Sequence, residues 1–291
     1  SNTGWDGSVT YHGGTKAAWK YDLTAIFSSY KNIVQSLGGG TQYLNEVSMG
    51  SNRFGAFSRL QPGHAVGEFF GYKVIGLFQT ADEAIKWNQP DAAIGRFKYA
   101  DVDGDGKITD ADRTWIGNPN PKFTLGFNMN ISYKAFDLTA FFYGSFGNNV
   151  ANYVKYWTDF PQVFDAAVSK TAALQSFGLP GANGKTPILE RSANSANTTV
   201  FNSYYIEDGS YFRCKQIQVG YLIPAKLLSK IGVDRFRFYF QIANLFTITK
   251  YTGLDPQLQT SDPNNNSNFG IDFGNYPANE KNYNLGVQLS F

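Results

Sequence analysis

FTLGFNMNISY, residues 123–133, alternates without a break: Phe123, Leu125, Phe127, Met129, Ile131 and Tyr133 are separated by Thr124, Gly126, Asn128, Asn130 and Ser132. Successive side chains of a strand point to opposite faces, so one face here is wholly apolar and the other small and polar. The outer face of a soluble sandwich usually carries Lys and Glu. Asn, Ser, Thr and Gly suit instead the hydrated lumen of a barrel whose other face meets lipid.

The pattern recurs on both sides of this segment. Trp19, Tyr21, Leu23, Ala25 and Phe27 alternate with Lys20, Asp22, Thr24, Ile26 and Ser28, and Phe236, Phe238, Phe240 and Ile242 alternate with Arg235, Arg237, Tyr239 and Gln241. Phe136, Leu138, Ala140 and Phe142 resume directly after a tight turn at Lys134–Ala135. Alternation is less clean from Tyr211 to Tyr221, which predicts a bulge near Lys215–Gln216. At the end of the sequence, Tyr283, Leu285, Val287, Leu289 and Phe291 share one face. A strand ending on Phe in this way resembles the terminal signal read by the outer-membrane insertion machinery; a last strand in a soluble sheet would read the same.

Roughly nine strands follow, at 5–12, 17–31, 51–60, 65–76, 122–133, 136–147, 209–222, 234–247 and 281–291. Short connections (13–16, 61–64, 134–135, 223–233) alternate with long ones (32–50, 77–121, 148–208, 248–280). Short turns on one side and long loops on the other are the arrangement of a transmembrane antiparallel β-barrel with extracellular loops. The expected class is therefore all-β, with 1–291 as one part of a barrel that an odd number of strands cannot close.

Composition agrees. Charged residues make up 16% and aromatic residues 16% of the 291, with 30 Gly, against about 25% charged residues in typical soluble domains. A formal net charge of +2 without a long basic run gives no electrostatic footprint for nucleic acid. Cys214 stands alone, excluding an intrachain disulfide and a Cys-based zinc cluster. No apolar run reaches the length of a transmembrane helix, but barrel strands need only about 9–11 alternating residues. The sequence opens at Ser1 without a signal-peptide pattern, as a mature chain or a piece of a longer one would.

Several segments resemble the SusC/RagA proteins, TonB-linked transporters that pair with SusD-like surface lipoproteins. They are GEFFGYKVIGLFQ at 67–79, FKYADVDGDGKITDADRTWIGNPNPKFTLGFNMNISYKAFDLTAFFYGSFGN at 97–148, DGSYFRCKQIQVGY at 208–221, VDRFRFYFQIANLFTITKYTGLDPQ at 233–257 and YNLGVQLSF at 283–291. They occur in the family's order. The resemblance implies the C-terminal portion of a plugged barrel of about 22 strands, in the outer membrane of a Gram-negative bacterium. The plug and the TonB-contacting segment have no counterpart here. It further implies import of glycans or peptides, a SusD-like partner, energy delivered through TonB, and no enzymatic role. A secreted, calcium-stabilised carbohydrate-binding β-protein is the alternative.

The sharpest local motif is the acidic loop at 101–112. Asp101, Asp103, Asp105 and Asp112, with the carbonyl of Lys107, occupy ligand positions of an EF-hand-type calcium loop, and Gly106 permits its turn. Asp112 replaces the usual Glu with a shorter arm, and flanking helices are not evident. A solvated turn that binds nothing is the other reading. Catalytic readings are poor: there are 2 His, His12 and His64, and no G-x-S-x-G elbow. The stretch Gly181 to Thr186 lacks the first glycine of a phosphate loop and a preceding strand. Tyr153, Tyr156 and Trp157, just past the 136–147 strand, are expected in an interfacial aromatic girdle, with stacking on sugar or on a partner as the other possibility. Asn264, Asn265 and Asn266 read as a polar loop tip.

Overall fold

The computed structural model describes residues 1–14, 18–47, 53–161, 163, 167–194, 196–228, 232–258, 268–274 and 279–291. The Asn264–Asn266 tip lies outside them. In chain order the strands are β1 (Asn2–Gly13), β2 (Trp19–Asn32), β3 (Leu44–Val47), β4 (Ala56–Leu60), β5 (Phe69–Tyr72), β6 (Val74–Leu77), β7 (Phe97–Tyr99) and β8 (Arg113–Gly117). They continue as β9 (Phe123–Tyr133), β10 (Phe136–Phe146), β11 (Asn149–Asn152), β12 (Ile206–Asp208), β13 (Tyr211–Leu222), β14 (Arg235–Thr249), β15 (Ile271–Asp272) and β16 (Asn282–Ser290). No helix among the described residues is long and apolar enough to cross a membrane.

The main sheet has seven strands in the order β1-β2-β9-β10-β13-β14-β16, and every neighbouring pair is antiparallel. Its registers place like with like. One row across all its strands reads Tyr11, Leu23, Met129, Ala140, Ile217, Ile242 and Tyr283; the next reads His12, Asp22, Asn130, Thr139, Gln218, Gln241 and Asn284. A one-residue slip in any strand would send its side chains to the wrong face, so agreement of all the registers defines two chemically distinct surfaces. The apolar surface is bare: Phe240 is 44% and Leu285 82% exposed. A continuous exposed apolar face of this extent needs a non-aqueous neighbour.

Two of the expected strands do not belong to this sheet. β2 pairs directly with β9, so 51–60 and 65–76 are not barrel strands and the whole of 33–122 is one long connection. β4 and β5 join β3 and β8 in a separate four-stranded sheet, with Phe57 and Phe69 fully buried. The expected pair was removed together with its own short turn, so the alternation of short and long connections survives. The short connections span 14–18, 134–135 and 223–234, and the long ones 33–122, 147–210 and 250–281.

Local chemistry fixes the details of the sheet. Lys134 adopts φ 54° in the two-residue hairpin that joins β9 to β10. The predicted bulge is present: Phe141 and Phe142 pair with Gln216 and Cys214, leaving Lys215 extra. On the polar face, Arg237 Nε donates to Asp137 Oδ1 at 2.9 Å. This pair joins β14 to β10 across β13, because Gly220 leaves room: a Cβ there would lie 2.4 Å from the Arg237 guanidinium.

The described residues of the long connections are folded. Aromatic residues from 33–122 and 147–210, with Ile271 from 250–281, make one cluster that includes Phe57, Phe69, Phe97, Tyr99, Tyr153, Phe201 and Tyr205. Such a core replaces the water that structureless loops would need around their backbone groups.

Candidate functional site

The acidic loop lies between β7 and β8, flanked by strands and a single turn of 3-10 helix at Asp110–Asp112. Ile108, 5% exposed, anchors it in the aromatic cluster. Gly104 and Gly106 take φ 76° and 79°, which lets the backbone wrap around Asp101. Asp101 Oδ1 accepts from the Gly104 N–H at 2.7 Å and its Oδ2 from the Gly106 N–H at 2.9 Å. Asp103 and Asp105 each accept one backbone N–H, from Asp105 at 3.1 Å and Lys107 at 2.8 Å. One ligand oxygen from each of these three carboxylates lies within 4.8 Å of the others.

Asp112 is placed differently. It is fully buried; its Oδ1 accepts from the Val102 N–H and its Oδ2 from the Thr109 N–H, both at 2.7 Å. With Thr109 it forms a reciprocal capping box. The structure thus converges Asp101, Asp103 and Asp105 and commits Asp112 to the backbone of the loop. None of the three converging carboxylates has an ion-pair partner among the described residues. Their donor chemistry and uncompensated charge suit a hard divalent cation, to which Lys107 would add its carbonyl. A bound cation would supply charge neutralisation and rigidity.

Tyr283, Leu285, Val287 and Leu289 lie on one face of β16, an edge strand whose partner is β14, with Phe291 just beyond it and 83% exposed. Tyr153 and Tyr156 correct the expectation of a girdle: they are 1% and 4% exposed. Their rings stack at 5.1 Å, and Trp157 packs edge-on to Tyr156 at 4.9 Å. Burial pushes the Tyr153 hydroxyl up to about 12, the Arg53 backbone N–H acting against it. In sequence, an aromatic run just past a strand reads alike whether it faces an interface or a core. The aromatic row is instead at the short-turn end of the apolar face, where Trp19, Tyr133, Phe136, Tyr221 and Phe238 are register neighbours. Trp19 stacks on Tyr133 at 4.3 Å.

A buried ion pair ties the third long connection to the wall. Arg213 of β13 donates to Asp255 at 2.6 Å, with 2% and 4% of the side chains exposed. Asp255 also accepts from the Gln257 N–H at 2.8 Å and from Asn279 Nδ2 at 2.7 Å. Burial alone would raise the Asp255 pKa, but the bonds from Arg213, Asn279 and Gln257 outweigh it and hold the carboxyl below its ordinary value. Sequence reasoning missed this tie, since nothing in the order of residues links 213 to 255.

Sheet, paired faces and folded outer loops together define part of the wall of a transmembrane β-barrel. No protein-family model matches the chain. The TonB-dependent receptor P3 of Formosa agariphila is 32% identical over 295 residues, covering 100% of this chain and 28% of that protein. The TonB-dependent receptor SusC of Bacteroides thetaiotaomicron is 28% identical over 282 residues, covering 93% of this chain and 24% of that protein. Among solved structures, the RagAB peptide transporter matches with a TM-score of 0.74 at 22% identity, over 100% of this chain and 29% of that one. The RagAB peptide importer in its 'open-open' state matches with 0.72 at 21%, over 100% and 28%. The chain is SusC/RagA-like, similar to TonB-dependent receptors along its whole length and to SusC over 93% of it, and it spans less than a third of the length of the curated relatives it matches.

Proposed function

We propose that this chain is wall and outer-loop cap of a TonB-dependent importer in the outer membrane of a Gram-negative bacterium. The observation carrying this reading is the pair of adjacent register rows, one wholly apolar and one wholly polar, running across all strands of the main sheet. Lipid on one side and a hydrated lumen on the other satisfy both. A secreted calcium-stabilised carbohydrate-binding protein would have to hide the apolar face. The remaining strands, the plug and the TonB-contacting segment belong to the rest of the same protein. The cargo is a glycan or peptide too large for porins, and a SusD-like lipoprotein closes over the folded loops. Calcium, held by Asp101, Asp103 and Asp105 with the carbonyl of Lys107, stiffens the connection between β7 and β8.

The test uses cells making the full-length protein with its neighbouring lipoprotein. The receptor should fractionate with outer membranes, resist extraction by salt and co-purify with the lipoprotein in detergent. Labelled oligosaccharide and peptide mixtures should be depleted only while the proton-motive force is intact. Recovery of the full-length protein in the soluble fraction would sink the proposal.

A further inference from the structure

A cavity of about 570 Å³ lies between the second and third long connections. Its walls include Asn152 at the end of β11, six residues past the end of β10, and Thr252 and Leu254, just past the end of β14. These short distances along the chain place it at the loop-side mouth of the wall. The volume is in the range of small-ligand sites, roughly 300–1,000 Å³.

Its described lining carries two buried carboxylates and a buried amide, beside a buried Thr186 hydroxyl that is already engaged by Ser176 at 3.0 Å. Asp159 and Asp272 line it at 6% and 3% exposure. Asp159 takes hydroxyl donors, from Tyr204 at 2.6 Å and Ser169 at 2.5 Å. Asp272 accepts from the Tyr251 hydroxyl and, at 2.8 Å, from the Gly274 N–H. Neither has an ion-pair partner among the described residues, whereas Lys155 on the same wall is spent on Glu207 at 2.8 Å. Lys185, the other cation lining the cavity, is exposed. Independently, Asn152 is 4% exposed; its Nδ2 donates to Glu207 Oε1 at 3.0 Å while its Oδ1 has no partner. Buried charge and buried acceptors are ordinarily compensated. Two uncompensated carboxylates and an orphan amide oxygen in one cavity ask for a ligand that both donates hydrogen bonds and carries positive charge.

We infer that this cavity is a subsite for primary ammonium groups of the cargo, recognised by Asp159, Asp272 and Asn152. The inference rests on the importer reading. An ammonium group offers three N–H donors and no acceptor, matching this lining. The same chemistry can come from a peptide's amino groups or from an amino sugar.

The experiment titrates the purified full-length receptor with trilysine and with a glucosamine trimer, each beside its fully N-acetylated form. Wild type should bind at least one amine form about tenfold or more tightly than its acetylated counterpart, a ratio corresponding to roughly 1.4 kcal/mol. Which of the two shows the preference identifies the source. Asp159→Asn and Asp272→Asn should reduce the ratio toward one without weakening the acetylated form. Leu254→Lys, at a position 78% exposed on the rim, brings an ammonium of its own without touching the folded core and should also lower it. Absence of any amine preference in wild type, or an unchanged ratio in the variants, overturns the inference. Energised uptake measured in the same cells separates the two readings: intact uptake without amine preference removes the subsite alone, and absent uptake removes the importer.

Discussion

Replacing Phe127 with Arg tests the assignment of faces at its centre. Phe127 is in the middle of β9, register neighbour of Ala25 and Phe142, and 37% exposed on the apolar face. An arginine at the bilayer midplane costs about 2–4 kcal/mol in barrels, which lowers the folding equilibrium constant roughly 30- to 900-fold. Asn128, the next residue, is register neighbour of Thr24 and Phe141 on the polar face. Arginine there keeps its charge in water and should cost less than about 1 kcal/mol, affecting transport more than assembly. The assay is urea unfolding of the full-length protein in detergent or vesicles, beside the amount that reaches the outer membrane. Equal losses from Phe127→Arg and Asn128→Arg would refute the two-faced wall, as would greater damage from Asn128→Arg.

Calcium removal should raise the protease sensitivity of 77–121 while the barrel stays folded, and Asp103→Ala should abolish the protection; equal cleavage with and without calcium in wild type would leave only an acidic turn. Asp112→Asn should loosen the loop even without calcium, because Asp112 accepts from two backbone N–H groups. Deleting Phe291 from the full-length protein should reduce its outer-membrane level without changing cargo affinity of the fraction assembled; a normal level would argue against an insertion signal. Asp255 gives a pH dependence. Its folded pKa is depressed, so the stabilisation is present above the unfolded value of about 3.9. It is lost as pH falls through the lower folded value. Proteolysis of 250–258 should therefore accelerate below about pH 4, and Asp255→Asn should be cleaved readily at neutral pH and lose that dependence.

The order of residues determined the wall almost by itself. Alternation at 123–133, the break at Lys134–Ala135 and the irregularity at Lys215 each express the two-residue period of a strand, a property of the backbone that needs no partner to be read. What alternation does not encode is the solvent on the apolar side. Residues 51–60 and 65–76 have the strand character of the wall, yet they bury Phe57 and Phe69 in the aromatic cluster shared with the other loops, and Phe70 against Trp115 of the same connection. The adjacent pair Phe69–Phe70 in GEFFGY, apolar on both faces of its strand, was the available signal. Tyr153 and Tyr156 went astray for the same reason, since an aromatic side chain satisfies a core or an interface equally well. The converging Asp101, Asp103 and Asp105 were legible because their ligands are close in sequence. The withdrawal of Asp112 to backbone donors, the Arg213–Asp255 tie and the acceptor-lined cavity were not. The tie and the cavity join segments that meet only when the long connections fold over the barrel mouth, whereas Asp112 is withdrawn by a capping box with Thr109, a local pattern that competes with the ligand spacing.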